Sequence, residues 1–132
     1  QEVFAQIGRS AFKPEHIAYR DFLAPDEFKE KFLTAKIIVA HAGMGTIISA
    51  AELAKPILVM PRLAILGEVR NDHQLAAARR FQTLNYISVA LDEIEFRKKL
   101  DNLDEVVRNQ KQIKNSGSLQ TLLVTIRKFI DE

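Results

Sequence analysis

The stretch AKIIVAHAGMGTIISAAELAKP, residues Ala35 to Pro56, decides how this chain is read. Its apolar, β-branched run Lys36-Ile37-Ile38-Val39-Ala40 carries the signature of a short strand covered on both faces. The run stops at His41, and Gly43 and Gly45 follow at once. From near Thr46 the residues Ile47, Ile48 and Ala51 recur at helical spacing, and Pro56 ends the helix. A strand, a glycine turn and a helix succeed one another within twenty-two residues, and the question is what His41, Gly43, Gly45 and Thr46 do at the junction.

The same alternation extends in both directions. EVFAQIG is a strand that runs into a turn at Gly8, and HIAYRDFL is a second short strand. Pro25 holds Ala24 extended and then opens a helix, with Asp26 and Glu27 where the helix dipole favours acids and Phe28, Phe32 and Leu33 as its buried stripe. ILVM is another buried strand, closed by Pro61 and followed by the loop RLAILGEVRND. Asn71 or Asp72 caps the helix HQLAAARRF, and YISVA is one more strand. Asp92 and Glu95 then stand at capping-box spacing, with Lys98 and Lys99 at the far end of that helix. Strands alternating with single helices from about Glu2 to Leu100 imply right-handed crossovers. The expected class is α/β, a Rossmann-like parallel sheet with helices on both faces.

The polar stretch RNQKQIKNSGS separates this body from a last apolar stripe at Leu119, Leu122, Leu123, Ile126, Phe129 and Ile130. The chain is therefore expected to be a single domain over residues 1–132. Its body covers about 1–104, a polar linker about 105–117 and an amphipathic helix about 118–131. At 132 residues this is enough for a buried core but small for a complete two-site enzyme. The net charge of +2 is spread without a Lys/Arg block, so nucleic acid is not an expected partner. There is no cysteine, hence no disulfide framework and no thiolate metal site. The residues from Gln1 onward do not read as a signal peptide, so none is expected, and no apolar run is long enough to span a bilayer. The chain begins at Gln1, which leaves room for a native N-terminal piece.

In an open parallel sheet, ligands bind beyond the carboxyl ends of the strands, where His41 to Thr46 sit. Gly43 and Gly45 let the backbone approach a ligand and permit positive φ. A helix opening near Thr46 presents unpaired amides and the positive end of its dipole, so phosphate or diphosphate is the natural occupant. Thr46 adds a hydroxyl and His41 a ring N–H. The dinucleotide fingerprint is incomplete because Ile48 holds the place of its third glycine, and Lys55 is too distant for a nucleotide-triphosphate lysine. A tight turn that only joins two elements remains the plain alternative. A second cluster, GEVRNDHQ, puts Glu68, Asn71, Asp72, His73 and Gln74 one strand later. Adjacent parallel strands open both loops on one edge, so Gln74 with Asn71 or Asp72 is placed to bond sugar hydroxyls while the turn holds phosphates. The alternative is that Asn71 and Asp72 only cap the helix.

In order and separation, HAGMGT, KPILVMPR and NDHQ resemble the C-terminal, donor-binding half of a GT-B glycosyltransferase of family 28. The likeness is nearest to the small soluble subunits of split UDP-sugar transferases, of the bacterial exopolysaccharide type and of the dolichol-linked N-acetylglucosaminyltransferase type. It implies that Gly43, Met44, Gly45 and Thr46 hold the donor diphosphate, with His41 beside them as the candidate catalytic residue. It implies that Phe22 and Leu23 lie near the uracil, that His73 and Gln74 contact the sugar, and that Gln6 and Gly8 border the pocket. Where many members carry a ribose-binding glutamate this chain has Ser49, and Glu52 follows one turn later. The family also has one more strand and glycine turn before EVFAQIG.

The implied activity is a hexosyltransferase that moves sugar from a UDP-sugar to a lipid-linked acceptor in polysaccharide or glycolipid assembly, without metal or other cofactor. Arg62 or Arg70 would help the helix terminus to stabilise the leaving diphosphate. The general base would come from a membrane-associated acceptor-binding subunit. The expected location is cytoplasmic, at the membrane through that partner. The stripe from Leu119 to Ile130 either docks on the partner or packs on its own body. Two other readings stay open, a non-catalytic nucleotide- or phosphate-binding regulatory module and a scaffold subunit. A metal set of His41, His73 and Asp72 or Glu68 is a minor alternative, and His16 is expected to be structural or exposed.

Overall fold

The computed structural model describes residues 2–83, 87–110 and 116–131. The chain divides into two compact units, Gln1–Thr34 and Ala35–Glu132.

In the first unit β1 (Phe4–Gln6) pairs in parallel with β2 (Ala18–Arg20). The ladder runs on through Ile7 N–H to Arg20 O at 3.0 Å and Gly8 N–H to Asp21 O at 2.8 Å. Gly8 then turns the chain at φ 60, a left-handed conformation that glycine takes without strain. Helix α1 (Pro25–Thr34) begins where the proline and the two acids place it. Its apolar stripe is narrower than the sequence suggests: Phe32 is buried, but Phe28 and Leu33 are 36% and 45% exposed. A two-stranded sheet offers too little surface to cover a wider face. Phe28 keeps a ring contact to Phe32 at 5.5 Å, and Lys31 lies 4.4 Å over the Phe4 ring.

In the second unit β3 (Ile38–Ala40), β4 (Ile57–Val59) and β5 (Ser88–Val89) form a parallel sheet in that order. Helices α2 (Met44–Glu52) and α3 (His73–Thr83) provide the crossovers between them. Three more helices follow, α4 (Glu93–Asp101), α5 (Leu103–Asn109) and α6 (Ser116–Asp131). Both sheets are parallel and, from β2 onward to α4, strands alternate with helices, which is the α/β class read from the sequence. Central β4 is fully buried, whereas Val39 of β3 is 45% exposed. Coverage on both faces thus holds for β4 and not for β3, because β3 is the outer strand of this sheet.

The start of the expected polar linker is instead helix α5, which places Val106 in the core. Gln110, at its end, uses its side-chain amide as a piece of strand. Oε1 accepts from Ile57 N–H at 3.0 Å and Nε2 donates to Ile57 O at 2.6 Å, just below the point where β5 begins to pair with β4. Residues 111–115 of that linker and Tyr86 of the expected strand YISVA lie outside the described residues. Helix α6 packs against α2 and buries Ile126. The side chains of Leu119, Leu122, Phe129 and Ile130, named in its expected stripe, lie outside the described residues.

Candidate functional site

Because β3 and β4 are parallel neighbours, the segments leaving their carboxyl ends open on the same edge of the sheet. Met60 N–H bonds Ala40 O at 3.0 Å and carries the pairing to that edge. The first segment is His41 to Gly43, and α2 starts immediately at Met44. Its first intrahelical bond is Ile47 N–H to Gly43 O at 3.2 Å. The amides of Met44, Gly45 and Thr46 precede it, and Gly43, at the N-cap, supplies no side-chain cap. No acid lies in the first turn. A short apolar helix thus presents its positive end uncapped at a strand terminus, an arrangement suited to an anion.

The glycines serve this turn differently from the expectation. Gly43 has φ −77 and ψ 138, Gly45 is the second residue of the helix, and neither needs positive φ. A Cβ added at Gly45 meets nothing within 4 Å, so the approach to the amides is open there. A Cβ at Gly43 would lie 2.6 Å from His41 Cε1. The His41 ring has a buried Nδ1 with no hydrogen-bond partner. Burial pushes this imidazole below its ordinary value of 6.5, the nearby positive charge of Arg62 adds to that, and hydrogen bonding to Gln74 opposes it. Arg62 and Gln74 therefore stand close to His41.

The second segment is a loop held by its own side chains. Arg62 N–H bonds Gln74 Oε1 at 3.0 Å, Leu63 N–H bonds Glu68 Oε2 at 2.9 Å, and Ala64 N–H bonds Asp72 Oδ1 at 3.0 Å. Three consecutive amides are taken by three side chains, and a single 3-10 turn at Ala64–Leu66 closes at Gly67 with φ 71. Asn71 Oδ1 accepts His73 N–H at 3.1 Å, next to the start of α3. Of the residues offered for sugar hydroxyls, Asn71 and Asp72 are thus occupied with the helix start and the loop, and Gln74 has its oxygen engaged. Glu68 is a loop support, and nothing in its spacing announces this. His73 and Arg70 are exposed.

Ser49 lies half-buried within α2, and Glu52 is exposed at its last residue. At a rise of about 1.5 Å per residue Glu52 stands about 12 Å along the axis from Met44, at the end opposite the open amides. In the first unit Gln6 Oε1 accepts Leu23 N–H at 3.0 Å, so two expected pocket residues meet, beside the turn at Gly8. Phe22 is 62% exposed. His16 is exposed. Among the described residues no three His, Cys, Asp or Glu side chains come together as a metal site. The set His41, His73, Asp72 or Glu68 is not assembled, since both carboxylates hold loop amides. Among the described residues no helix is long and apolar enough to cross a membrane.

The family model of the glycosyltransferase family 28 C-terminal domain matches residues 1–128. The UDP-N-acetylglucosamine transferase subunit ALG13 of Candida albicans is 30% identical over 89 residues, 67% of this chain and 29% of that protein. The human protein of the same name is 31% identical over 80 residues, 57% of this chain and 7% of its own length. The chain thus spans less than a third of either relative.

Proposed function

The chain belongs to the glycosyltransferase family 28 C-terminal domain family, and from that premise we propose that it binds a UDP-sugar and takes part in transferring the sugar to a lipid-linked acceptor. The observation that carries the reading is the uncapped start of α2, open at Gly45, on the sheet edge that also carries Gln74. In this reading the amides of Met44, Gly45 and Thr46 bind the diphosphate, and the Thr46 hydroxyl and the His41 ring add side-chain bonds. Gln74, its Oε1 fixed by Arg62 N–H, turns its NH2 group toward a sugar hydroxyl. Gln6, Gly8, Phe22, Leu23, Ser49, Glu52 and His73 keep the roles that the family resemblance gives them as proposals. Among these Glu52 has the least support, given its distance along α2.

The reaction breaks the bond between the anomeric carbon and the diphosphate oxygen and forms one to the acceptor oxygen. As that bond breaks, negative charge grows on the β-phosphate, where fixed amides and the Arg62 charge stabilise it most. The proton of the acceptor hydroxyl passes to a base that we assign to an acceptor-binding partner subunit. That partner would also hold the chain at the cytoplasmic face of a membrane. The relatives are named as transferase subunits acting with UDP-N-acetylglucosamine, which makes that donor the first to test.

Titration calorimetry with UDP, UDP-N-acetylglucosamine, ADP and NAD tests the reading. Binding of the uridine ligands over the adenine ones is expected. Preference for ADP or NAD would replace it with the adenine-nucleotide form of a non-catalytic binding module. Gly45→Val, which projects a branched side chain over the open amides, is expected to abolish UDP binding while the far-UV circular dichroism is kept.

A further inference from the structure

The two glycines of the turn lie in unlike surroundings. Around Gly45 there is free space. At Gly43 the place of a side chain is taken by the His41 imidazole, with Cε1, Nδ1 and Nε2 at 2.6, 3.1 and 3.5 Å from an added Cβ. The first of these distances is shorter than a Cβ keeps from a carbon it is not bonded to, so either the ring or the backbone would have to move. The Gly43 backbone, at φ −77 and ψ 138, is open to any residue. Conformation therefore does not explain the glycine. Ala42, between the two residues, is 1% exposed and anchors the backbone there in the core, so the imidazole is the part that can give way. Hydrogen bonding to Gln74 holds the ring on one side only, because Nδ1 is buried and unpartnered. Such an atom is costly in a folded protein unless something else keeps the group in place.

We propose that Gly43 is a positioning residue that acts through His41, leaving vacant the space in which the imidazole is seated beside the first amides of α2. Gly45 admits the ligand, and Gly43 admits the histidine. The link to ligand binding rests on the reading of this turn as a diphosphate site, whereas the seating of the ring does not. In this division a methyl group at residue 43 harms binding by displacing the ring and not by meeting the phosphate.

The test uses Gly43→Ala, Gly45→Ala, His41→Ala and the double variant Gly43→Ala/His41→Ala in the full chain. Imidazole 1H–15N spectra without ligand are expected to show the His41 signals displaced by Gly43→Ala and unmoved by Gly45→Ala, with His16 and His73 as internal references. Unmoved His41 signals in Gly43→Ala would overturn the proposal. For UDP affinity, Gly43→Ala is expected to cost about tenfold in the wild-type background and under about twofold where His41 is already alanine. An equal cost in both backgrounds would mean that the glycine meets the ligand directly, and the proposal would fall. If Gly43→Ala alone does not fold, recovery in the double variant supports the seating and failure of both refutes it. Absence of UDP binding in the unmodified protein would end the nucleotide reading, while the imidazole spectra still decide the seating.

Discussion

His41 shows how one residue couples acidity, stability and ligand. Folded, its imidazole titrates below 6.5, by burial first and the Arg62 charge second, against hydrogen bonding to Gln74. Unfolded, it returns to about 6.5. Between those two values the unfolded chain binds more protons, so this group makes stability rise with pH up to about 6.5, and that contribution is lost as pH falls through the window. An anion at the turn acts in the opposite sense. It raises the imidazole pKa and binding takes up a proton, so affinity for UDP-N-acetylglucosamine, whose diphosphate has no oxygen that titrates near neutral pH, is expected to increase on mild acidification while the ligand-free protein grows less stable. Urea midpoints and calorimetric Kd at about pH 5.5 and 7.5 check both trends, and His41→Gln should flatten both. If UDP-N-acetylglucosamine bound more weakly at the lower pH in the unmodified chain, the imidazole would not face the diphosphate. Of the residues at this site, those whose role lies in backbone geometry were legible: the strand end at His41, the turn and the helix start. The seating of His41 on Gly43 was not, since two residues two apart carry no periodic signal for a ring folding back on the chain.

Elements were legible where their ends carry ordinary signals. Asp92 accepts Glu95 N–H at 2.7 Å, and Glu95 returns a bond to Leu91 N–H at 3.0 Å, close to the box that the spacing predicts. Helix α2 ends without such a signal. Lys55 N–H bonds Ala50 O and Ala54 N–H bonds Ala51 O, the paired bonds of a Schellman ending, yet the left-handed residue at φ 52 is Ala54 and not glycine. Only Pro56 marks that end in the sequence. The polar run after residue 105 misled for a different reason, because composition cannot show that one of its amides replaces a strand. Gln110 satisfies both backbone groups of Ile57, which is 1% exposed. Gln110→Ala is expected to cost about 1–3 kcal/mol by stranding those groups. Chemical denaturation measures it, and a change within error would mean that water or another side chain takes the amide's place.

For the whole chain, the decisive relation is that the last helix supports the first functional one. Helix α6 lies on α2, and α2 carries the open amides on which the proposed donor site depends. The sequence left two uses open for the last apolar stripe, docking on a partner or packing on its own body; the contact with α2 and the burial of Ile126 at 3% exposure give the second a physical basis. Val124, on the same helix, is 49% exposed, so part of that helix still faces outward. The two faces are separable by mutation. Ile126→Ala is expected to destabilise the protein by about 2–5 kcal/mol through the cavity left against α2, and to weaken UDP binding only as far as the folded fraction falls. Val124→Asp, on the exposed side, should leave the unfolding free energy measured in urea within about 0.5 kcal/mol of the unmodified protein, as surface changes do. If it also abolishes capture by an acceptor-binding subunit, the outer face of α6 is the docking face. If Ile126→Ala is as mild as Val124→Asp, α6 contributes no core, and the coupling between the end of the chain and the turn at Gly43 is lost with it.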